Sequence, residues 1–282
     1  MIWVIANKVE EDGSFPTYKY YKKAFSEGEI DIFCAGEDDD FSFIGKNDVV
    51  LVRTRDEEIN KNLYIAREKI GFKSTLESPE TNELTHDKEL VKSVLEKEGI
   101  AYPKTIKLED VLDSRTYFVK ARYGENSQGI DENSICKRRY DVYKKSITLL
   151  SGGIEPIVEE YINGEDLTTS VINTKEGLKA FSSIIHPNTS FGFHTFGSKL
   201  DFAFTALPYE NSILDKTCIK VFNAIGAKHY LRIDSRMVGG VPYILDINMI
   251  PGLGPVGHMN KCLEMNGIGY HEFIRMVVNS AS

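Results

Sequence analysis

The stretch YILDINMIPGLGP at 243–255 decides how the rest of the chain is read. As a strand it alternates, because side chains switch face at every residue: Tyr243, Leu245 and Ile247 fall on one side, Ile244, Asp246 and Asn248 on the other. The second face carries a carboxylate and an amide, two oxygen donors held just before a Pro-Gly turn. Such a pair suits a hard cation such as magnesium, which takes one or two protein oxygens and completes its shell with substrate phosphates. The same side chains could instead hydrogen-bond the turn that ends the strand. The stretch alone leaves both readings open.

Immediately upstream, LRID at 231–234 puts Arg232 and Asp234 on one strand face. If this strand pairs with 243–248 across Gly239-Gly240, three oxygen donors and a guanidinium share one sheet surface, more than a structural ion pair requires. Further back, a helix is expected from Ile213 to Ile225, stopped by Gly226. Before it runs a long polar and aromatic loop, HPNTSFGFHTFGSKLDF at 186–202, in which Lys199 is the lysine or arginine available to a ligand. The strand KAFSSII at 179–185 precedes the loop, and IVEEYINGEDLTTSVI at 157–172 reads as strand, turn and strand around Asn163-Gly164. The simplest reading of Glu159, Glu160, Glu165 and Asp166 is a solvated hairpin rim.

In TYFVKARYGENSQGI at 116–130 a strand delivers Lys120 at its end, and Gly124, Asn126, Ser127 and Gly129 form a small polar turn whose N–H groups could meet an anion. It is not a Walker loop. A helix follows with Tyr140, Tyr143, Ile147 and Leu150 on its apolar side, ending at Gly152-Gly153. Before the strand, Leu90, Val91, Val94 and Leu95 mark an amphipathic helix closed by Gly99, with Lys88 in its first turn. The polar SPETNELTHD at 78–87 is the candidate for the first domain boundary. The N-terminal third alternates strand and helix, which predicts a small lobe with a mainly parallel sheet. No glycine-rich dinucleotide fingerprint follows its first strand.

A chain of 282 residues, 41% apolar and 27% charged, has core enough for two or three lobes. The net charge of −8 argues against a nucleic-acid partner. Four scattered cysteines form no CxxC pair, and no apolar run is long enough to span a bilayer. MIWVIA reads as a first strand rather than a signal peptide, so a cytoplasmic protein is expected.

Taken in order, the segments from about 85 to 282 resemble the ATP-grasp superfamily, and within it the D-alanine:D-alanine ligase group. The resemblance rests on Asp87-Lys88, Phe118-Val119-Lys120 with Asn126-Ser127-Gln128-Gly129, Val158-Glu159-Glu160, Arg232-Ile233-Asp234 and Asp246-Ile247-Asn248 with Pro251-Gly252. It implies an α/β fold of α+β lobes: an N-terminal parallel α/β lobe at 1–84, and lobes at 85–165 and 166–282 clamping ATP, the last with the metal site. It also implies roles. Lys88 and Lys120 would meet ATP phosphates, and Asn126 and Ser127 would close over them. Glu159, Glu160, Tyr161 and Ile162 would carry the adenine, and Asp166 would stand where the family has a ribose-binding Glu. Asp234, Asp246 and Asn248 would hold two magnesium ions, with manganese able to substitute. Arg232 would face the substrate carboxylate, and Lys199 would reach the γ-phosphate. Gly252, Gly257 and His258 would border the substrate.

The implied reaction is ADP-forming ligation: a carboxylate becomes an acyl phosphate and an amine then expels phosphate. Phosphoryl transfer needs in-line positioning and charge neutralisation rather than a protein nucleophile, in keeping with these residue types. The partners implied are small amino-acid or peptide substrates, and a homodimer is left open. Departures concern the substrate: ANKVEEDGSFP at 6–16 lacks the family's Gly-rich, Glu-containing segment, Gly254 and Gly257 stand near His258 after the turn, and Leu200 replaces a tyrosine. They imply a product other than D-alanyl-D-alanine. A small-molecule kinase and a non-catalytic ATP-binding module are the alternatives.

Overall fold

The computed structural model describes residues 1–7, 18–124, 129–187 and 204–282. Its first sheet is built from β1 (Ile2–Asn7), β2 (Ile30–Ala35), β3 (Val49–Val52) and β4 (Lys73–Ser74), all parallel in the order β2-β1-β3-β4. Helices α1 (Tyr18–Lys23) and α2 (Glu57–Ile70) connect them. Asp56 caps α2 by accepting from Ile59 N at 3.0 Å, and Gly71 closes it at φ 84°, a conformation glycine adopts without strain. This parallel lobe is the one the alternation of strand and helix predicts.

The polar stretch at 78–87, the candidate domain boundary, is helical over most of its length. Ser78 Oγ accepts from Thr81 N at 3.2 Å and Pro79 occupies the first turn, so α3 runs Pro79–His86. Asp87 ends it and at once caps α4 (Lys88–Lys97), accepting from Glu89 N at 2.9 Å. The buried face of α4 also differs from the expected stripe: Val91, Lys92 and Leu95 are inside while Leu90 is 44% exposed. That rotation places a lysine where the apolar pattern predicted a leucine.

A second, antiparallel sheet has the order β6-β5-β7, formed by β5 (Tyr117–Ala121), β6 (Ile135–Cys136) and β7 (Pro156–Glu160). It is covered by α5 (Arg139–Ser151). Of the four residues expected to mark the apolar side of α5, Tyr143 is half-buried while Tyr140, Ile147 and Leu150 are exposed, and the buried face is Val142, Lys145, Ser146 and Leu149. Lys145 can go inside because its ammonium pairs with Asp131 at 2.8 Å.

The third sheet, antiparallel in the order β10-β9-β8-β11-β12, comprises β8 (Glu165–Thr174), β9 (Gly177–Pro187), β10 (Phe204–Pro208), β11 (Tyr230–Val238) and β12 (Val241–Asn248). The expected hairpin at 157–172 is therefore a crossing: β7 pairs with β5, and β8 with β9 and β11. Gly164 sits at that crossing because a Cβ there would stand 2.6 Å from Met237 O. Helix α6 (Ser212–Ala224) lies on one face of the sheet, where Leu214, Val221 and Phe222 join Val91 and Leu95 of α4, Ile244 and Ile247 in one core. On the other face, α7 (His258–Met265) and α8 (Tyr270–Asn279) join the parallel lobe to the third sheet. Met259, Phe273 and Val277 pack with Val4 and Leu51 on one side and Ile172 on the other.

Strict alternation fails in β12. Arg232 pairs with Asn248 and Asp234 with Asp246, but Ser235 pairs with Ile244, so Leu245 is an extra residue opposite that step. The bulge returns Ile244 to the core beside Ile247, not to the face of Asp246. Among the described residues no helix is long and apolar enough to cross a membrane.

Replacing Gly164 by Ala forces the crossing apart from β11. Urea denaturation should show a loss of about 1–3 kcal/mol. Gly252→Ala, with nothing within 4 Å of the added carbon, should stay within about 0.5 kcal/mol of wild type.

Candidate functional site

The second and third sheets face each other across a cleft that holds a cavity of about 160 Å³. Its floor is the pairing of β11 and β12, which sets Asp234 directly opposite Asp246. Like charges in that relation repel, so the floor is stable only with cations close by. Arg232 supplies one: its Nε and Nη2 donate to the two oxygens of Asp234 at 3.0 and 2.8 Å, and Thr168 Oγ1 adds a bond at 2.7 Å. Burial works against the Arg232 charge, yet Asp234 beside it lifts the guanidinium above its ordinary pKa. Asn248 Oδ1 accepts from Ile250 N at 3.0 Å, the turn-capping bond, and also from Arg55 Nη2 at 2.7 Å.

The opposite wall brings lysines. Lys120 Nζ donates to Leu245 O at 2.9 Å, the carbonyl of the residue that the bulge leaves out of the register. The same ammonium pairs with Glu159 Oε2 at 2.9 Å, and Lys92 pairs with Oε1 at 2.8 Å. Glu159 is thus a buried carboxylate between two ammonium groups, not part of a solvated rim. Lys88 Nζ donates to Gly124 O at 2.8 Å. Burial draws its pKa below the ordinary lysine value, Asp246 opposes that shift and Lys120 adds to it. Asp87, which caps the helix carrying Lys88, is gripped by Arg122 through Nε at 2.9 Å and Nη2 at 2.6 Å.

At the far end lies the crossing between sheets. Arg236 is paired across strands with Asp166, donating from Nε to Oδ1 at 2.6 Å and from Nη1 to Ile162 O at 2.7 Å. Its guanidinium stands 5.1 Å from the Tyr161 ring centre. Burial lifts the Asp166 carboxyl above the usual range even though Arg236 pulls it down.

Ten of the residues singled out from sequence line this one cavity: Lys88, Lys120, Glu159, Glu160, Tyr161, Ile162, Asp166, Asp234, Asp246 and His258. His258, the first residue of α7, packs its ring edge-on to Phe204 at 4.4 Å. Arg232 and Asn248 are on the same strands but do not line it. Gly252 and Gly257 lie in the turn beyond β12, and a Cβ on Gly257 would come within 2.8 Å of Gly252 O, so that glycine serves the turn itself. Asn126, Ser127 and Lys199 lie outside the described residues.

Four residues were missed. Arg53 and Arg55 follow β3, at the carboxyl end of a parallel strand where ligands of α/β sheets commonly bind. Arg53 donates to Tyr230 Oη at 3.1 Å and Pro251 O at 2.7 Å, which ties the Pro-Gly turn to the parallel lobe. Burial and the neighbouring Arg53 push Arg55 down to about 9, and it remains charged at neutral pH. Lys92 is one helical turn beyond Lys88, and Arg236 two residues beyond Asp234; both spacings were legible.

The donors suited to a cation are the oxygens of Asp234, Asp246 and Asn248, a hard set that fits magnesium. Among the described residues no three His, Cys, Asp or Glu gather to form an all-protein cage. A site of one or two carboxylates completed by phosphates needs none.

Residues 92–279 match the family model described as D-ala D-ala ligase C-terminus. The chain belongs to this family. Among curated relatives, D-alanine–D-alanine ligase of Bacillus anthracis is 27% identical over 210 residues, 69% of this chain and 66% of the relative. That of Maridesulfovibrio salexigens is 26% identical over 216 residues, covering 71% and 69%. The chain thus spans just under two thirds of the B. anthracis relative. A crystal structure of the B. anthracis D-alanine–D-alanine ligase complexed with ATP superposes with a TM-score of 0.74 at 20% identity, covering 99% of this chain and 96% of that one. A D-Ala:D-Ser ligase from Enterococcus faecalis gives 0.72 at 15% identity, covering 99% and 98%. The fold is the ATP-grasp fold.

Arg122 holds the Asp87 carboxyl below the usual range, against the effect of burial. The stability this contributes is present above the ordinary aspartate value of 3.8 and lost as pH falls through the lower folded value. Asp87→Asn, which keeps a good cap, should cost about 1–3 kcal/mol at pH 7. In urea melts across pH the gap should close as the medium becomes acid; a gap independent of pH would refute the assignment.

Proposed function

We propose that the chain is an ATP- and magnesium-dependent carboxylate–amine ligase acting through an acyl phosphate on a substrate other than D-alanine. The observation that carries this reading is the opposed pair Asp234 and Asp246, facing Lys88 and Lys120 within one cleft. Two carboxylates set opposite each other and confronted by two ammonium groups suit a polyphosphate with its counter-ions better than they suit a fold alone. ATP would lie between the lobes at 85–165 and 166–282, its base along Glu160–Ile162 and its sugar at Asp166. Magnesium, when bound, would neutralise oxygen charge on the β- and γ-phosphates from Asp234, Asp246 and Asn248.

The protein's own groups would do the rest. Lys88 and Lys120 would draw charge from the phosphate oxygens and hold the γ-phosphorus in line with the attacking carboxylate. Lys92 would act through Glu159, whose second oxygen fixes Lys120. A substrate carboxylate oxygen would attack the γ-phosphorus as ADP leaves. The amine, as its free base, would then attack the acyl carbon, phosphate would depart with the bond to that carbon broken, and the surplus amine proton would leave with the phosphate or to water. Arg232 has five N–H donors, of which one at Nε and one at Nη2 serve Asp234; others would face the oxyanion of that second step. Lys199 is proposed at the γ-phosphate, and Asn126 and Ser127 over the phosphates.

In this reading the arginines of the parallel lobe border the substrate end of the cleft. Arg53 holds the turn at Pro251, and Arg55 reaches the end of β12 from β3. Both lone pairs of Asn248 Oδ1 are taken in this structure, so a cation bound there would displace Arg55 from it. Arg55 would then turn to an anionic group of the substrate.

Incubation with ATP, magnesium and pooled amino acids and dipeptides should release phosphate and yield an amide detectable by mass spectrometry. Asp246→Ala should slow release by about a hundredfold or more. Equal release by the variant sinks the assignment; a stable phosphorylated product without amide would mean a kinase, and ATP binding without turnover a binding module. Once the carboxylate substrate is known, Arg55→Ala should raise its KM about tenfold and leave kcat within about threefold. An unchanged KM would remove Arg55 from the substrate site.

A further inference from the structure

One guanidinium in the cleft belongs to neither the phosphate end nor the substrate end. Arg236 is buried, lines the cavity and bonds both ends of the short crossing at 162–166. Its Nε holds Asp166 Oδ1 at 2.6 Å on β8, and its Nη1 holds Ile162 O at 2.7 Å in the crossing that precedes β8. Its flat face lies over the Tyr161 ring at 5.1 Å. The planar fork of arginine makes these contacts mutually dependent: fixing one N–H direction fixes the others.

The arrangement has more geometry than burial of an ion pair requires. Asp166 and Arg236 are already opposite each other in the β8–β11 register, which brings the charges together. The second bond, to Ile162 O, does something different. It sets the plane of the peptide that follows the Tyr161–Ile162 edge of the cavity relative to the carboxylate of Asp166. If a nucleotide binds as proposed above, the base runs along that edge and the sugar meets that carboxylate. The guanidinium then fixes the distance between the two places where a nucleoside is gripped.

Resting on the ligase reading, we propose that Arg236 is the positioning residue for sugar recognition, locking Asp166 and the 161–162 edge into one frame that accepts a ribonucleotide and rejects its deoxy forms. A carboxylate held in one orientation can accept both hydroxyl hydrogens of a ribose. One that rotates about its side-chain torsions meets a water as readily as a hydroxyl, and the sugar's hydroxyls cease to matter. A site built to hydrogen-bond a hydroxyl rejects the analogue that lacks it, because the site's own polar group is then left unpaired. Arg236 does not touch the reacting atoms in this account, so its loss should appear in nucleotide affinity and not in turnover.

The test compares ATP, 2′-deoxyATP and 3′-deoxyATP in wild type, Arg236→Met and Arg236→Lys. Two readouts are used: phosphate release, and the rise in melting temperature that each nucleotide gives without turnover. Wild type should favour ATP over both deoxy forms by about tenfold or more in kcat/KM. Arg236→Met should bring that preference to within about twofold, raise the KM for ATP about tenfold and leave kcat within about threefold. Arg236→Lys keeps a charge beside Asp166 but lacks the fork, and should fall between. It carries the test alone if the Met variant does not fold, and a Lys variant that discriminates as wild type does then overturns the proposal. A wild type indifferent to the sugar, an Arg236→Met variant that keeps the preference, or a loss confined to kcat each overturns it as well. These outcomes leave the ligase reading standing. If no nucleotide raises the melting temperature of wild type, both fall.

Discussion

Two aspartates directly opposite each other on neighbouring strands are the constraint around which this molecule is arranged. Asp234 and Asp246 occupy paired positions on β11 and β12, where their charges would destabilise the sheet if left alone. Arg232 on the same strand engages Asp234, and Lys88 feels Asp246 from the start of α4. At the bulge, the Leu245 carbonyl accepts from Lys120 and holds that ammonium at the floor of the cleft. Each cation in turn needs its own support. Glu159 steadies Lys120, Lys92 steadies Glu159, and the Asp87–Arg122 pair anchors the helix end that carries Lys88. Removing the floor would leave this chain of charges without its centre.

The second and third sheets share the work because the chain passes from one to the other at the edge of the cleft. β7 ends with Glu160, the crossing carries Tyr161 and Ile162, and β8 begins at Glu165. A hairpin would have kept these residues on one sheet, with its rim in solvent. The crossing instead brings the end of β7 and the beginning of β8 to the same cavity, and Gly164 allows the close approach to Met237 that this requires. Arg236 can bridge the two segments only because they diverge.

Much of this was legible in the sequence, and the failures share a cause. The strand pair with Arg232, Asp234, Asp246 and Asn248 followed from alternation and a Gly-Gly turn, because period-two patterning is a local property. The parallel lobe followed from β-branched runs separated by helices. What failed depended on partners distant in the chain. Lys92 and Lys145 carry no local mark of burial, yet each is buried against a carboxylate supplied from elsewhere, Glu159 and Asp131. Those burials rotated α4 and α5 from the faces their apolar residues suggested, leaving Leu90, Tyr140, Ile147 and Leu150 outside. The bulge at Leu245 carries no proline or glycine to announce it. The helix at 79–86 is the exception: Ser78 before Pro79 is a local start signal, outweighed by the stretch's polar composition.

The extent of the family match can be set against the same geometry. The family match runs from 92 to 279, and the cation cluster, the opposed aspartates and the crossing lie almost wholly within it. Arg53 and Arg55 lie before it, on the parallel lobe, and reach Pro251 and Asn248 at the end of β12. In the ligase reading, a cleft that holds phosphates would place the same demands on charge whatever carboxylate is activated. The group beside the turn has no such obligation. In the ligase reading, the cleft between the second and third sheets supplies the phosphoryl chemistry and the parallel lobe chooses what is ligated. The two are joined at Asn248, where one oxygen answers both to the turn and to Arg55. A change in the parallel lobe that moved Arg55 would therefore be felt at the end of the strand that carries Asp246, and in the ligase reading this would couple substrate choice to the phosphate site through a single side chain.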